Sequence, residues 1–94
     1  MEIQHSDDGK KGMFFVEQEQ EILARMTYVW SGADRIIIDH TEVDHNLRAK
    51  GLGKQLVIRA VEFAREKGIK IRPVCSFVAY VFDKEAEFRD VLYN

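Results

Sequence analysis

The residues best suited to chemistry lie in segment 48–54, where basic side chains surround two glycines. Glycine lets the backbone approach a ligand closely and bend without strain. The segment follows a predicted strand and opens a predicted helix, whose first N–H groups lack helical partners and carry positive potential. These features predict a cradle for an anion, best suited to phosphate or diphosphate. The segment comprises Arg48, Ala49, Lys50, Gly51, Leu52, Gly53 and Lys54.

The glycine spacing differs from two common nucleotide-binding motifs. The G-x-x-x-x-G-K-[ST] spacing of the P-loop is absent, and so is the G-x-G-x-x-G pattern of dinucleotide-binding folds. A structural interpretation also remains open, in which the glycines only form a tight turn between strand and helix.

Two further side chains could take part in catalysis. Cys75 lies between a predicted strand and a predicted helix, where backbone amides and nearby Arg72 would stabilise a thiolate. His40 lies near the end of a predicted strand, and histidine is the side chain best suited to accept a proton near neutral pH. The alternatives are a small buried cysteine and a structural strand histidine.

Alternating apolar and polar residues in the first half of the chain predict an antiparallel meander of about four strands. The run Ile36, Ile37 and Ile38 indicates a strand buried on both faces. The predicted strands are 3–7, 13–16, 24–30 and 35–43, separated by turns at 8–12, 17–21 and 31–34.

The second half changes to helical spacing at Gly51, and Gly68 should end this helix in a left-handed turn. A short strand at 69–74 follows, so the strand–helix–strand unit predicts a right-handed crossover and a parallel pair. A helix after Pro73, with Ser76 as N-cap, and a terminal amphipathic helix capped by Asp83 complete the chain. The predicted fold class is therefore α+β, with an antiparallel meander, a helix, a parallel strand and C-terminal helices.

Composition limits the classes of protein. The 94 residues predict one domain, 1–94, and the formal net charge of -2 argues against a nucleic-acid binder. The lone cysteine excludes an intrachain disulfide, and no metal-ligand motif is present, so we expect no metal. No apolar run approaches the ~20 residues of a membrane span. The first residues also lack a signal peptide's apolar region, which favours a cytoplasmic protein without a membrane partner.

The chain resembles the GCN5-related N-acetyltransferase superfamily, and in particular its very small members. The family motif, Arg or Gln, two residues, Gly, one residue, then Gly or Ala, reads here as Arg48, Gly51 and Gly53. Segments 38–43 and 71–78 carry the rest of the resemblance, which covers nearly the whole chain.

The resemblance implies an α/β-type core with a splayed sheet and acetyl-CoA as co-substrate. The amides of segment 48–54 would bind its diphosphate, and the strand edge at Thr41, Glu42 and Val43 would pair with pantetheine. It further implies a catalytic Cys75 paired with His40. Longer members shape the acceptor site with early helices, which this chain lacks, so we expect an open and shallow acceptor site.

The leading hypothesis is an acetyl-CoA-dependent N-acetyltransferase with an unidentified amine acceptor. Transfer could be direct, or it could pass through an acetylated Cys75. One alternative is a non-catalytic CoA-binding or acyl-CoA-binding module or sensor. Another is a nucleic-acid or phosphoprotein adaptor that uses basic side chains, a reading opposed by the acidic balance. Those side chains are Arg48, Lys50, Lys54 and Arg59.

Overall fold

A computed structural model describes residues 2–93, which form a five-stranded sheet in the order β1-β2-β3-β4-β5. The first three junctions are antiparallel and the β4–β5 junction is parallel. This confirms the predicted meander and fold class. The strands are β1 (Gln4–Asp7), β2 (Lys11–Gln18), β3 (Glu21–Trp30), β4 (Arg35–Val43) and β5 (Lys70–Pro73).

Helices occupy the chain on either side of β5. A 3₁₀ helix (His45–Lys50) leads into α1 (Leu52–Lys67), and α2 (Ser76–Lys84) is followed by a second 3₁₀ helix (Ala86–Val91). The predicted left-handed turn at Gly68 is confirmed by its φ of 69°. None of the helices within residues 2–93 has the length and apolar character needed to cross a membrane.

One apolar core lies between the sheet and α1, with α2 and the second 3₁₀ helix packed beside α1. On the sheet side, alternate residues of β3 and β4 point inward, as their sequence pattern predicts. Each such side chain contributes about 1.5–3 kcal/mol when it is fully buried. The most buried core residues include Phe14, Met26, Tyr28, Ile36, Ile38, Leu56, Val57, Ala60 and Ile71.

The opposite face of the sheet carries no helix within the described residues. Ile36 and Ile38 are fully buried against the helices, whereas Ile37 between them is only half-buried. The prediction that this strand is buried on both faces was therefore wrong. An apolar run signals a second covering layer only when the chain also supplies the helices to form it.

The predicted caps and the final helix also need correction. Cys75, not Ser76, is the N-cap residue of α2, because its N–H is held by the Ile38 carbonyl and its backbone stays extended. Asp83 lies inside α2 and caps nothing, and the last helix is a 3₁₀ helix. Its tighter winding leads directly to Leu92, which pairs beside Ile71 in the sheet.

Candidate active site

Strands β4 and β5 part at their carboxyl ends. Their pairing stops at Ile38 and Pro73, and the N–H groups of Val74 and Cys75 then both donate to the Ile38 carbonyl at 3.0 Å. The chain turns away into α2, while β4 continues to Val43. This confirms the predicted splayed sheet and leaves a gap beside the second half of β4.

The backbone of β4 presents free polar groups to this gap. The N–H of Asp44 donates to the Leu23 carbonyl at 2.7 Å, so residues in phase with Asp44 bond to β3. The alternate residues, Thr41 and Val43, direct their N–H and C=O groups the other way. Arg48 Nε approaches the Val43 carbonyl from the gap side at 3.3 Å. The edge can therefore pair with an extended, amide-bearing ligand.

A β-bulge at Asp39 determines which side chains face the helices. Tyr28 of β3 pairs with Ile38, but the preceding β3 residue, Thr27, pairs with His40, so Asp39 is an extra residue in β4. Beyond the bulge, Thr41 lies on the buried face opposite Met26, and His40 lies on the uncovered face.

The two predicted catalytic side chains consequently lie on opposite faces of the sheet. Cys75 Sγ is half-buried on the helix face and donates to Thr41 Oγ1 at 3.5 Å. His40 Nε2 lies 2.9 Å from Glu42 Oε1 on the uncovered face, and both of these side chains are 59% exposed. The structure thus places both residues at the gap, but each contacts a different partner.

The start of α1 has the geometry expected of an anion site. Gly51 ends the first 3₁₀ helix and precedes α1 with φ 71° and ψ 21°, a left-handed conformation that glycine adopts most easily. The first α1 hydrogen bond runs from the Gln55 N–H to the Gly51 carbonyl at 3.1 Å. The N–H groups of Leu52, Gly53 and Lys54 therefore have no partner within the helix.

The basic side chains of this segment differ in their contacts. Arg48 and Lys50 are exposed in the last turn of the 3₁₀ helix, as is Ala49 between them. Lys54 Nζ forms an ion pair with Glu85 Oε1 at 3.3 Å and so connects α1 to the end of α2. Two of the three cations thus remain available to an anion without breaking an ion pair.

A groove of about 440 Å³ joins the open strand edge to the start of α1. Five of the twelve predicted site residues meet in its wall, whereas Leu52 is buried in the core. Sequence reasoning missed the residue that closes the groove, Phe77. The sequence feature that could have indicated Phe77 is that it is an apolar residue of α2 lying outside the buried face of that helix. The groove is lined by Thr41, Glu42, Val43, Arg48, Gly53 and Phe77.

Within residues 2–93 no cluster of three or more His, Cys, Asp or Glu side chains is arranged to hold a metal ion. The groups present at the gap are backbone amides, cationic side chains, a thiol and an imidazole. These groups suit the binding of a phosphate-bearing carrier and a proton transfer.

The family model of the GCN5-related N-acetyltransferases matches residues 13–91. The chain belongs to this family. A comparison with curated proteins returned no match.

Solved structures give the same fold. A GCN5-like protein from Staphylococcus aureus, determined by NMR, is 35% identical, with a TM-score of 0.75 over 97% of this chain and 88% of that one. An acetyltransferase from Bacillus cereus is 28% identical, with a TM-score of 0.57, and covers 70% of this chain and 51% of its own.

An aminoglycoside acetyltransferase from a soil metagenome matches 94% of this chain and 62% of its own at 20% identity, with a TM-score of 0.64. At that identity the likeness shows the fold alone. This chain spans only about half to two thirds of the two larger acetyltransferases. Family membership and the nearer relatives support acetyltransferase activity.

Proposed function

We propose that the protein is an acetyl-CoA-dependent N-acetyltransferase that acts on an amine acceptor. The observation that carries this proposal is the open edge of β4 lying beside the bare N–H groups at the start of α1. One site offers partners for an extended amide arm, and the adjoining site offers partners for a diphosphate.

Coenzyme A matches these two sites in order. Its diphosphate is bound by the N–H groups at the start of α1, with Arg48 and Lys50 balancing its charge. Its pantetheine arm carries amides that pair with the backbone groups of Thr41 and the N–H of Val43, as an added strand pairs with a sheet edge. With the diphosphate at the start of α1 and pantetheine along β4, the thioester lies at the point of the groove where β4 and β5 part.

The uncovered face of the sheet gives the amine its approach. At the gap the acceptor nitrogen attacks the thioester carbonyl, so that the C–N bond forms and the C–S bond breaks. His40, held by Glu42 on that face, accepts the amine proton directly or through one water, and CoA leaves as a thiolate. Cys75 faces the same carbonyl from the helix side, beside Thr41.

A covalent route would use the same residues in another order. His40 would take the proton of Cys75 Sγ, the thiolate would attack the thioester carbonyl, and the C–S bond to CoA would break with that proton passing to the CoA thiolate. The amine would then attack the acetylated Cys75, so that the C–N bond forms, the C–S bond to Cys75 breaks and the amine proton returns to Sγ. The contacts of the free protein favour direct transfer, because the thiol is bonded to Thr41 and His40 is bonded to Glu42 on the other face.

Calorimetric titration with acetyl-CoA tests the binding site. We expect saturable binding that weakens about tenfold in Arg48→Gln, the effect of losing one charged contact. Arg59→Gln is the matched control, because Arg59 lies further along α1 beside Glu62. Failure of the unchanged protein to bind at millimolar acetyl-CoA would contradict the proposal.

Mass spectrometry of a panel of amines, including peptide lysines and polyamines, tests transfer. The acetylated product should require both the protein and acetyl-CoA. The open acceptor side favours one alternative, a CoA-binding module or sensor, which predicts binding without a product. An adaptor for nucleic acid predicts instead binding to RNA or DNA with a steep dependence on salt.

A further inference from the structure

The ring of Phe77, in the first turn of α2, rests on the first turn of α1. A Cβ atom placed on Gly53 would lie 2.9 Å from Phe77 Cζ and 3.0 Å from Cε2. Gly53 is buried, whereas the Phe77 side chain is 39% exposed. The ring therefore packs against the start of α1, and about two fifths of Phe77 faces solvent.

The two glycines of the segment are consequently needed for different reasons. Gly51 has a positive φ of 71°, and a Cβ there would meet nothing within 4 Å. Gly53 has no positive φ and lies within α1, so only the Phe77 ring opposes a larger residue. The second glycine makes room for an aromatic ring in the free protein.

The covered position has a chemical cost. The N–H of Gly53 has no partner within α1, and the ring of Phe77 packs against the Cα of this buried residue. A buried donor without an acceptor is unfavourable. A ligand atom that accepts a hydrogen bond from this N–H has to approach a residue against which the ring packs.

The ring can move without disturbing α2. The buried side chains that anchor this helix in the core are Val78, Val81 and Phe82, and Phe77 is not among them. Rotation about its side-chain bonds would carry the ring into solvent while these three contacts remain. Exposed side chains make such rotations rapidly.

We propose that Phe77 is a gate, whose ring packs against Gly53 in the free protein and swings out when an anionic group binds at the start of α1. The gate rests on the proposed function, in which that group is the diphosphate of CoA. In the free protein, molecules whose ring is in the covered position cannot bind the anionic group. The larger their fraction, the weaker the apparent affinity for that group.

Calorimetric titration of Phe77→Ala with CoA and with inorganic diphosphate tests the gate. Removing the ring should lower the dissociation constant of both ligands about fivefold, as expected if about four fifths of the free molecules are covered. Tyr80→Ala is the matched control, because Tyr80 is an exposed aromatic residue on the next turn of α2.

The outcomes separate the two proposals. If the unchanged protein binds CoA and Phe77→Ala binds it equally or more weakly, the gate is wrong and the proposed function stands. Weaker binding would mean that the ring packs against the ligand instead. If neither protein binds CoA, the proposed function fails and the gate fails with it.

A second experiment needs no ligand. Urea unfolding of Gly53→Ala, Phe77→Ala and the double variant measures whether the new methyl group and the ring compete for one space. We expect Gly53→Ala to raise the unfolding midpoint more when Phe77 is already alanine. Gly51→Ala should combine additively with Phe77→Ala, because Gly51 has no neighbour there. Additivity at Gly53 as well would overturn the position assigned to the ring.

Discussion

Where β4 begins, side chains from neighbouring strands satisfy one another's hydrogen bonds, whereas where β4 ends the backbone edge that faces the gap has no partner strand. At the first end, the Tyr28 hydroxyl lies 2.6 Å from His5 Nε2 and donates to Asp7 at 2.5 Å. Trp30 Nε1 also donates to Asp7, at 2.9 Å. Phe63 of α1 packs against this group, which we call the closed end.

The ionisation of the closed end follows from these contacts. Burial lowers the pKa of His5, outweighing the nearby Asp7 carboxylate. Burial would raise the pKa of Asp7, but hydrogen bonds from Tyr28, Gly9 and Trp30 hold it below its usual value. Burial and the bond to Asp7 both raise the pKa of Tyr28.

The two ends of β4 differ in what their polar groups do, since one end contributes to stability and the other is open to a ligand. The closed end uses the polar groups of His5, Asp7 and Tyr28 internally, which favours stability. At the open end, from Asp39 to Val43 on β4 together with the start of α1, the backbone facing the gap has no strand partner and can pair with a ligand. Changes at the closed end should therefore alter unfolding, and changes at the open end should alter binding and catalysis.

The largest expected effect lies at the open end. His40→Gln should lower the rate of acetyl transfer about hundredfold at neutral pH, because it removes the proton acceptor. Cys75→Ala should lower that rate less than threefold if transfer is direct, as measured by product formation at saturating acetyl-CoA. A near-complete loss in Cys75→Ala would instead establish the covalent route. Urea unfolding of both variants should stay close to that of the unchanged protein.

The second largest effect is expected at the closed end, on the free energy of unfolding. Tyr28→Phe should reduce the free energy of unfolding by about 2 kcal/mol, because His5 and Asp7 both lose a buried partner. Its affinity for CoA should not change, which calorimetry can check. Tyr80→Phe, at an exposed tyrosine, is the control and should shift unfolding by less than about 0.5 kcal/mol. A large fall in CoA affinity in Tyr28→Phe would remove the distinction between the two ends.

A pH series sharpens the same distinction. The pKa of His5 is lowered by folding from its ordinary value of 6.5, so the unfolded chain binds a proton more readily than the folded one. The contribution of His5 to stability is present above pH 6.5 and decreases as the pH falls below it. Urea midpoints between about pH 7.5 and 5.5 should therefore fall with pH. His5→Gln should flatten this trend, and His45→Gln, at an exposed residue, should not.

The smallest effect concerns the ion pair at the edge of the open end. Glu85→Gln releases Lys54, which should tighten CoA binding about twofold by restoring a free cation near the diphosphate. Stability should change by less than about 1 kcal/mol, because about half of the Lys54 side chain faces solvent and exposed ion pairs contribute little. An unchanged dissociation constant at low salt would show that Lys54 takes no part in binding.

Local sequence signals predicted the elements well. The bounds of β4, 35–43, agree with the structure, and Gly51 and Gly68 delimit α1 as expected, because these features depend on neighbouring residues. The final helix was predicted less well, since its 3₁₀ winding depends on the pairing of Leu92 with a distant strand.

The site was predictable in its parts but not in its assembly. The glycine segment and the free strand edge followed from local pattern and resemblance. The ring of Phe77 over Gly53 joins residues on different helices, and the network of His5, Asp7 and Tyr28 joins different strands, so neither has a local signal. The separation of His40 from Cys75 depends on an extra residue that only the pairing with β3 reveals. Which residues act on a substrate stays a prediction.

The additional residue at Asp39 has a consequence for chain length. Because of this bulge, each side chain after Asp39 on β4 lies on the face opposite to the one that unbroken alternation from Ile38 would give it. Regular pairing of this strand with every residue kept would turn the imidazole inward and the threonine outward, whereas deleting Asp39 would itself restore regular pairing and leave both side chains on their present faces.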